Sequence, residues 1–314
     1  MNKFFSFFSV SLLTASLFIS CKASKPAVQD SNTLPQALLW KIEGDALPEP
    51  SYLFGTIHMI PQDDYFLPSG TEEAFNKSKE VVFEIDLDEM SGMGSLMGML
   101  SNLMMKDGTS LEDLLTEQEY NEVSAYFEKM GIPMFLLGKV KPMFLSMLAE
   151  INMDPSELQS DDVVSYEMKF YEQAQTAGKE VSGLETMKYQ MSLFDSIPYK
   201  DQAKILLDAV RGSNTESDMF DQTVELYKQQ NIEAMVAMMD ESPSGDSDSY
   251  ENVLINNRNQ NWIPVMSKIM KNGSVFFAVG AGHLAGEQGV INLLKKQGYK
   301  LTPVSVYKKE ASKI

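Results

Sequence analysis

The sequence predicts an α/β fold built around a mixed β-sheet. Short apolar runs typical of buried strands alternate with helical patterns, which indicates a sheet covered by helices. Residues 51–87 and residues 274–306 also share one order of elements, strand–GxxH–helix–strand. We expect these two units to form the sheet and to be related by a pseudo-twofold axis. A large helical insertion, about residues 90–270, is expected between them.

The elements of the two units follow from their apolar periodicity. In the first unit, a strand, a helix and a second strand are predicted at residues 52–54, 71–79 and 80–87. In the second unit, the same elements are predicted at residues 275–279, 287–297 and 299–306. A glycine shortly before each histidine lets the backbone turn sharply off the strand or approach a ligand closely.

The segment between the units has mostly helical patterns. Thr116 and Glu119 predict a capping box, which opens a helix that ends at Gly131. Further helices are predicted at residues 141–151, 161–177, 187–239 (broken at Pro198 and Gly212) and 251–270. A short strand is predicted at residues 180–184 and a polar loop at residues 241–249. The methionine-rich residues 90–105 predict either a loosely packed core helix or a pliable lid or peptide-binding wall.

The chain has only two histidines, and each ends a GxxH sequence after a predicted strand. His58 ends GTIH at residues 55–58, and His283 ends GAGH at residues 280–283. Histidine is the commonest metal ligand and the usual acid or base near neutral pH. Ligands of such sheets bind beyond the carboxyl ends of the strands. The matched pair therefore favours one shared site over two separate structural histidines.

Carboxylates close to these histidines are candidates for the chemistry. Glu84 lies inside an apolar strand and shares a face with Asp86. A carboxylate in such a run is costly to bury unless it is paired or binds a metal. Glu84 is therefore either a metal ligand or general base, or the partner of an arginine such as Arg258. Glu185 follows the short strand at 180–184 and has a similar choice between catalysis and helix-dipole stabilisation.

The first 20 residues are typical of an export signal, because a short basic start precedes an apolar run that is short for a membrane span. Cys21 is the only cysteine and directly follows a small residue after this run, which resembles the lipobox of bacterial lipoproteins. Secretion with a free thiol is the alternative. We expect residues 1–20 to be removed, residues 21–36 to form a flexible tether and residues 37–308 to form a single domain.

Charge and composition restrict the partners of this domain. The formal net charge is −18 at pH 7, which disfavours binding to nucleic acid or to anionic lipid surfaces. Association with the membrane is therefore expected through a lipid on Cys21. Lys22 and Lys25, which follow the cysteine, favour a periplasm-facing location in the bacterial cell envelope.

Together these residues resemble the TraB/GumN family, which includes the TIKI-type metalloproteases. The resemblance covers roughly residues 37–307. It rests on LFGTIH (53–58), Glu84, GLET (183–186) with Gln190, RNQNW (258–262), VGAGHL (279–284), GEQGV (286–290) and GY (298–299). The resemblance implies an α/β fold in which the two GxxH histidines and nearby acids bind a divalent metal.

For the TIKI branch, the resemblance implies metal-dependent hydrolysis of a peptide or protein substrate. His58, His283 and Glu84 would bind the ion, with Mn or Co favoured and Zn as the alternative. Glu84 would complete the metal shell or act as general base, and Glu185 would be a second catalytic carboxylate. Arg258 and Asn259 would orient the carboxylates or polarise a scissile carbonyl. The alternatives are hydrolysis of a non-peptide ester, or a lipid-anchored protein that sequesters a peptide or other ligand without cleaving it.

Overall fold

The computed structural model describes residues 33–87, 101–150, 163–212, 215–240 and 252–307. From Leu34 onward these residues belong to one compact unit. The predicted export signal, Cys21, the loop at 241–249 and most of the methionine-rich stretch lie outside the described residues. Within the described ranges, no helix combines the length and the apolar character needed to cross a bilayer.

A mixed six-stranded sheet forms the centre of the fold, so the predicted α/β class is confirmed. The eight strands are β1 (Leu39–Glu43), β2 (Ser51–Thr56), β3 (Ile60–Pro61), β4 (Glu80–Ile85), β5 (Val163–Val164), β6 (Glu180–Glu185), β7 (Val275–Gly280) and β8 (Lys300–Pro303). The main sheet has the order β6-β4-β7-β2-β1-β8, and β3 pairs with β5 in a separate ribbon. Strands β6, β4, β7 and β2 pair in parallel, while β1 is antiparallel to β2 and β8.

Helices surround the sheet and fill the middle of the chain. They are α1 (Thr71–Lys77), α2 (Leu111–Leu114), α3 (Glu117–Lys129), α4 (Met134–Leu137), α5 (Pro142–Glu150), α6 (Tyr166–Ala177), α7 (Met187–Leu193), α8 (Tyr199–Arg211), α9 (Thr215–Lys228), α10 (Ile232–Asp240), α11 (Asn257–Ile269) and α12 (Val290–Lys296). The predicted capping box is confirmed, since Thr116 and Glu119 hydrogen-bond reciprocally at the start of α3.

Three predicted helices differ from the structure at their first residues. The helix expected from residue 287 begins only at Val290, after Gly289. The helix expected from residue 161 begins only at Tyr166, because Val163–Val164 pairs with β3 and Ser165 caps the helix by accepting from the Met168 N–H. The helix expected over 251–270 starts with a π-helical turn, Asn252–Asn256. Such a turn changes the direction of the side chains that follow it and is frequent at functional sites.

The pseudo-twofold arrangement of the two units is not confirmed by the strand order. In part, the order fits such an axis. The second strand of the first unit, β4, lies on the side of β7, and the second strand of the second unit, β8, lies on the side of β2. However, β1 separates β8 from β2, and nothing separates β4 from β7. Strand β1 belongs to neither unit, and its antiparallel insertion breaks the symmetry.

Separate hydrophobic clusters hold the sheet and the helical middle. On the sheet, Phe54 and Phe276 pack with Phe170 of α6 and Phe75 of α1, with ring centroids 5.0–6.0 Å apart. Aromatic burial of this kind stabilises both by area and by edge-to-face contacts. The helical middle has a separate cluster that includes Phe127 and other residues of α2 to α5 and α8. The sheet and the helices packed on it, α1 and α6 among them, therefore position the strand ends.

Candidate functional site

The four parallel strands end at the same edge of the sheet, and the predicted site residues meet there. His58 follows β2, Glu84 is the penultimate residue of β4, Glu185 ends β6, and His283 follows β7 in a single 3-10 turn. The first turn of α11 adds Arg258 from above this edge. This is the location at which open α/β sheets bind ligands.

Arg258 joins the two carboxylates. Its NH2 group donates to Glu84 Oε2 and lies 2.8 Å from Glu185 Oε1, while its Nε donates to the same Glu185 oxygen at 2.9 Å. The three side chains are 5–11% exposed, so neither carboxylate could be buried there unpaired without a large penalty. The ion pair that the sequence left as an alternative for Glu84 is therefore present.

The remaining donors of Arg258 are also used. NH1 donates to the Leu254 carbonyl at 2.9 Å and to His283 Nε2 at 3.1 Å. A guanidinium has five N–H donors, and each of them has an acceptor within the protein. Arg258 is thus arranged to orient Glu84, Glu185 and His283. The other predicted role, polarising a scissile carbonyl, would require it to give up one of these bonds.

His283 is held as a neutral ring with its proton on Nδ1. Asn259 donates its Nδ2 to the Gln288 carbonyl at 2.9 Å, which turns its Oδ1 toward His283 Nδ1 at 2.7 Å. Nδ1 must therefore be the donor, and Nε2 the acceptor from Arg258. Burial lowers the pKa of His283 to about 4, against the opposing attraction of Glu84. Asn259, which we expected to orient carboxylates, orients this histidine instead.

Glu84 is ionised in this setting. Burial opposes its charge, but the neighbouring His283 and the Arg258 guanidinium outweigh that effect and lower the pKa of Glu84 to about 2, with help from the Gly280 N–H. The Gly280 N–H donates to Glu84 Oε1 at 2.9 Å, and Gln190 donates to Oε2 at 3.3 Å. A Cβ on Gly280 would lie 3.2 Å from Oε1, so the glycine lets the backbone approach the carboxylate.

Glu185, like Glu84, is held by neighbouring side chains. Trp262 donates its indole N–H to Oε2 at 2.9 Å, and the Arg258 guanidinium lies 4.9 Å from the Trp262 ring centroid. Burial raises the pKa of Glu185, although Arg258 opposes this shift. Both oxygens of Glu185 are engaged by neighbouring side chains. Glu185 therefore balances the charge of Arg258.

His58 is the open member of the site. Its side chain is 73% exposed, and its Nδ1 lies 3.1 Å from Glu167 Oε1. The hydrogen bond with Glu167 raises the pKa of His58 to about 9. Because Nδ1 faces Glu167, Nε2 is the ring nitrogen directed away from that partner.

The donors at this edge fit a divalent ion in type. His283 Nε2 and Glu84 Oε1 are 3.7 Å apart, a spacing compatible with two ligands whose bonds to one ion are each about 2.0–2.2 Å long. His58 supplies a third nitrogen of the right kind. Across the described part of the chain, no three His, Cys, Asp or Glu side chains are close enough together to form a metal shell. Among the three predicted ligands, His283 and Glu84 have ligand spacing.

The sequence located most of the site but missed Glu167. The structure brings Glu84, Glu185, Arg258, Asn259 and His283 into one hydrogen-bonded group. Glu167 lies 109 residues from His58, in a stretch that predicts an ordinary amphipathic helix. No local pattern of the sequence distinguishes it from the other acids of that helix.

Comparisons with known proteins show the family of the chain and several distant relatives. The model of the TraB/PrgY/gumN family matches residues 38–303. The chain is 21% identical to "Metalloprotease TIKI1" of Danio rerio, over 90% of this chain and 65% of that protein. It is 23% identical to "Metalloprotease TIKI homolog" of Amphimedon queenslandica, over 88% and 63%, and 22% identical to "Metalloprotease TIKI1" of Homo sapiens, again over 88% and 63%. It thus spans less than two thirds of each relative. No solved structure matches it significantly.

Proposed function

Because the chain belongs to the TraB/PrgY/gumN family, we propose that it is a metal-dependent hydrolase, most specifically a peptidase. The observation that carries this proposal is the pairing of a neutral His283 Nε2 with an ionised Glu84 Oε1, 3.7 Å apart at the carboxyl edge of the sheet. The names of the relatives, metalloproteases at 21–23% identity, support the same reaction class.

His283, Glu84 and His58 would hold the ion. Carboxylate and imidazole donors suit Mn or Co, with Zn as the alternative. When bound, the ion supplies Lewis-acid polarisation of the scissile carbonyl and a water of lowered pKa. Of the three proposed ligands, His58 is the exposed one, whereas His283 and Glu84 are buried. A substrate would therefore enter from the side of His58.

The protein side chains would fix the geometry of this reaction. Asn259 keeps the proton of His283 on Nδ1, so Nε2 would bind the ion once Arg258 NH1 gives up its hydrogen bond to that atom. Arg258 holds Glu84 ionised and oriented, and Glu185 keeps Arg258 in place. Glu84 would either hold the ion through Oε1 or act as the general base that accepts the proton of the attacking water.

The test is cleavage of a peptide library by purified protein with Mn²⁺, Co²⁺ or Zn²⁺ and with a chelator. His58→Ala, His283→Ala and Glu84→Gln should each reduce cleavage by about 100-fold or more, because loss of an outer partner alone costs about 10–100-fold. Glu180→Gln is the matched control, since Glu180 is an exposed carboxylate at the opposite end of β6. It should cleave at the wild-type rate.

Cleavage that survives chelation and all three substitutions would contradict the proposal. If folded, metal-loaded protein binds peptides but releases them intact, the chain is a sequestering protein, the alternative that the sequence left open. Mass spectrometry of the recovered ligand separates these outcomes directly.

We also propose that the domain is anchored by lipid at Cys21 in the bacterial cell envelope and faces the periplasm. Cys21 stands directly after the predicted signal segment, and Lys22 and Lys25 follow it. In that location, the substrates would be exported or surface peptides and proteins.

A further inference from the structure

Glu167 joins the start of a helix to the GTIH sequence. Its Oε1 accepts from Thr56 Oγ1 at 2.7 Å and lies 3.1 Å from His58 Nδ1. Its Oε2 accepts from Ser165 Oγ at 3.1 Å. The carboxylate is 17% exposed, whereas the histidine that it contacts is 73% exposed.

The fold fixes this carboxylate firmly. Glu167 is the second residue of α6, and its neighbour Tyr166 is fully buried. The Tyr166 ring packs 4.8 Å from Tyr65 and 5.4 Å from Tyr227, measured between centroids. Tyr166 also donates its hydroxyl to the Phe66 carbonyl at 2.7 Å. The first turn of α6 is thereby anchored against the segment that follows His58.

A role as a helix cap does not account for these contacts. A capping carboxylate accepts from backbone N–H groups of the first turn, and Ser165 already performs that role for the Met168 N–H. The three side-chain contacts of Glu167 instead involve Thr56, His58 and Ser165. Of these, Thr56 is the last residue of β2 and His58 follows it by two residues.

The second histidine has an equivalent partner. His283 Nδ1 is 2.7 Å from Asn259 Oδ1, and Asn259 is the third residue of α11. In both cases, a side chain from the first turn of a neighbouring helix faces Nδ1, and Nε2 is the other ring nitrogen. Such partners of metal-binding histidines fix the tautomer and the orientation of the ring.

We propose that Glu167 is a positioning residue for His58, which it holds through Nδ1–H so that Nε2 is presented to the site. Thr56 and Ser165 in turn hold Glu167. This inference rests on the proposed function in treating His58 as a metal ligand. The inference adds a second residue to that function. Glu167, 109 positions from His58 in sequence, determines which nitrogen of His58 binds the metal.

The experiment is nitrogen NMR of protein labelled with ¹⁵N-histidine. Only two rings contribute, since the chain has two histidines, and His283→Ala assigns the signals. In zinc-loaded wild type, His58 should have a proton on Nδ1 and a metal-shifted Nε2. In Glu167→Ala, that single pattern should be replaced by a mixture with metal on either nitrogen. Mn²⁺ affinity, measured by calorimetry, should fall about 10–100-fold.

Two further variants make the result specific. Glu167→Gln keeps an acceptor oxygen and should retain the Nδ1-protonated ring, with a smaller loss of affinity. It also replaces the alanine variant if that protein does not fold. Glu172→Gln removes an exposed charge from the same helix and should leave both readouts unchanged.

An unchanged His58 spectrum and unchanged Mn²⁺ affinity in folded Glu167→Ala would overturn the inference. If wild type binds neither zinc nor manganese, the proposed metal function fails, yet the positioning is still tested in metal-free protein. There, the hydrogen-bonded Nδ1 proton of His58 should give a downfield signal that Glu167→Ala removes and Glu172→Gln keeps. If Glu167→Ala retains this signal, Glu167 does not position the ring.

Discussion

At the scale of single residues, the charges of the buried side chains at the sheet edge compensate one another, and this compensation depends on pH. Two carboxylates, Glu84 and Glu185, share one guanidinium, and the buried histidine beside them is neutral. A second positive charge on His283 would lie 3.1 Å from Arg258 NH1 and would be repelled by it. Removing one partner from such a buried group leaves an uncompensated charge, which is strongly destabilising.

Stability should therefore fall with acid, in part through His283. Burial lowers the pKa of His283 from 6.5 to about 4, so the unfolded chain takes up this proton at a higher pH than the folded chain does. The stabilisation is complete above pH 6.5 and is lost as the pH falls toward 4. The contribution is at most ~3 kcal/mol in the free energy of unfolding, measurable by urea titrations between pH 7 and pH 4.

The control is His283→Gln, which cannot titrate. Its free energy of unfolding should depend less steeply on pH between 6.5 and 4 than that of wild type. Titration of His58 does not affect this comparison. Its pKa is raised to about 9, so its contribution to the free energy of unfolding changes only above pH 6.5. Equal slopes for the two proteins in the acid range would show that His283 is not the buried neutral ring described here.

Residues with a local signal were predictable from the sequence, and those without one were not. His58, His283, Glu84 and Glu185 could be found because each lies at or near the end of an apolar strand. Whether Glu84 pairs with Arg258 could not be decided, because that contact joins residues 174 positions apart. Glu167 had no signal, since a glutamate in the first turn of a helix is ordinary.

At the scale of elements, helices of the middle segment support the β2 end of the site. Tyr227 of α9 is fully buried and donates its hydroxyl to the Gly55 carbonyl at 2.9 Å. Its ring also packs edge-on against Tyr166 of α6. Helices α6 and α9, although distant in sequence from β2, thus determine where the GTIH sequence lies.

Tyr227→Phe should therefore destabilise the protein by about 1–3 kcal/mol, because it leaves a buried carbonyl without this donor. Chemical denaturation measures the change. Tyr189→Phe is the control, since its hydroxyl accepts from Asn261 at an exposed position and its loss should cost little. A Tyr227→Phe protein no less stable than the control would mean that the contact with Gly55 contributes nothing to the fold.

The boundaries of elements were predictable only where a cap or turn residue marks them. The capping box at Thr116 is found as predicted, and the helix predicted to end at residue 177 ends there because Gly178 adopts a left-handed conformation. The helical stretch 187–239 has an additional break near Gln230, whose φ is 54°. A left-handed conformation at glutamine has no sequence signature comparable to that of glycine, so this break was not foreseen.

At the scale of the whole molecule, the sequence predicted the α/β class but not the order of strands. Alternating strands and helices are a local property, whereas the insertion of β1 between β2 and β8 depends on pairing between distant segments. The predicted symmetry assumed that two similar units also pair similarly, and β1 removes that equivalence.

The proposed anchor gives a prediction at this scale. Cys21→Ala should release the protein from the membrane fraction into the soluble fraction, while peptide cleavage per molecule stays at the wild-type level. The change leaves the described domain intact, since Cys21 precedes Leu34, where that compact unit begins. Mass spectrometry of the wild type should find a lipid on Cys21. A soluble wild-type protein with an unmodified thiol would instead indicate plain secretion.

The central position of β7 affects how the protein is made. β7 spans Val275–Gly280 and is the only link between β2 and β4, which do not pair with each other. A growing chain that has reached residue 270 therefore has the two halves of its main sheet unjoined. Pairing over such long sequence separations is slow. The residues of the candidate site would thus come together only after most of the chain has been synthesised.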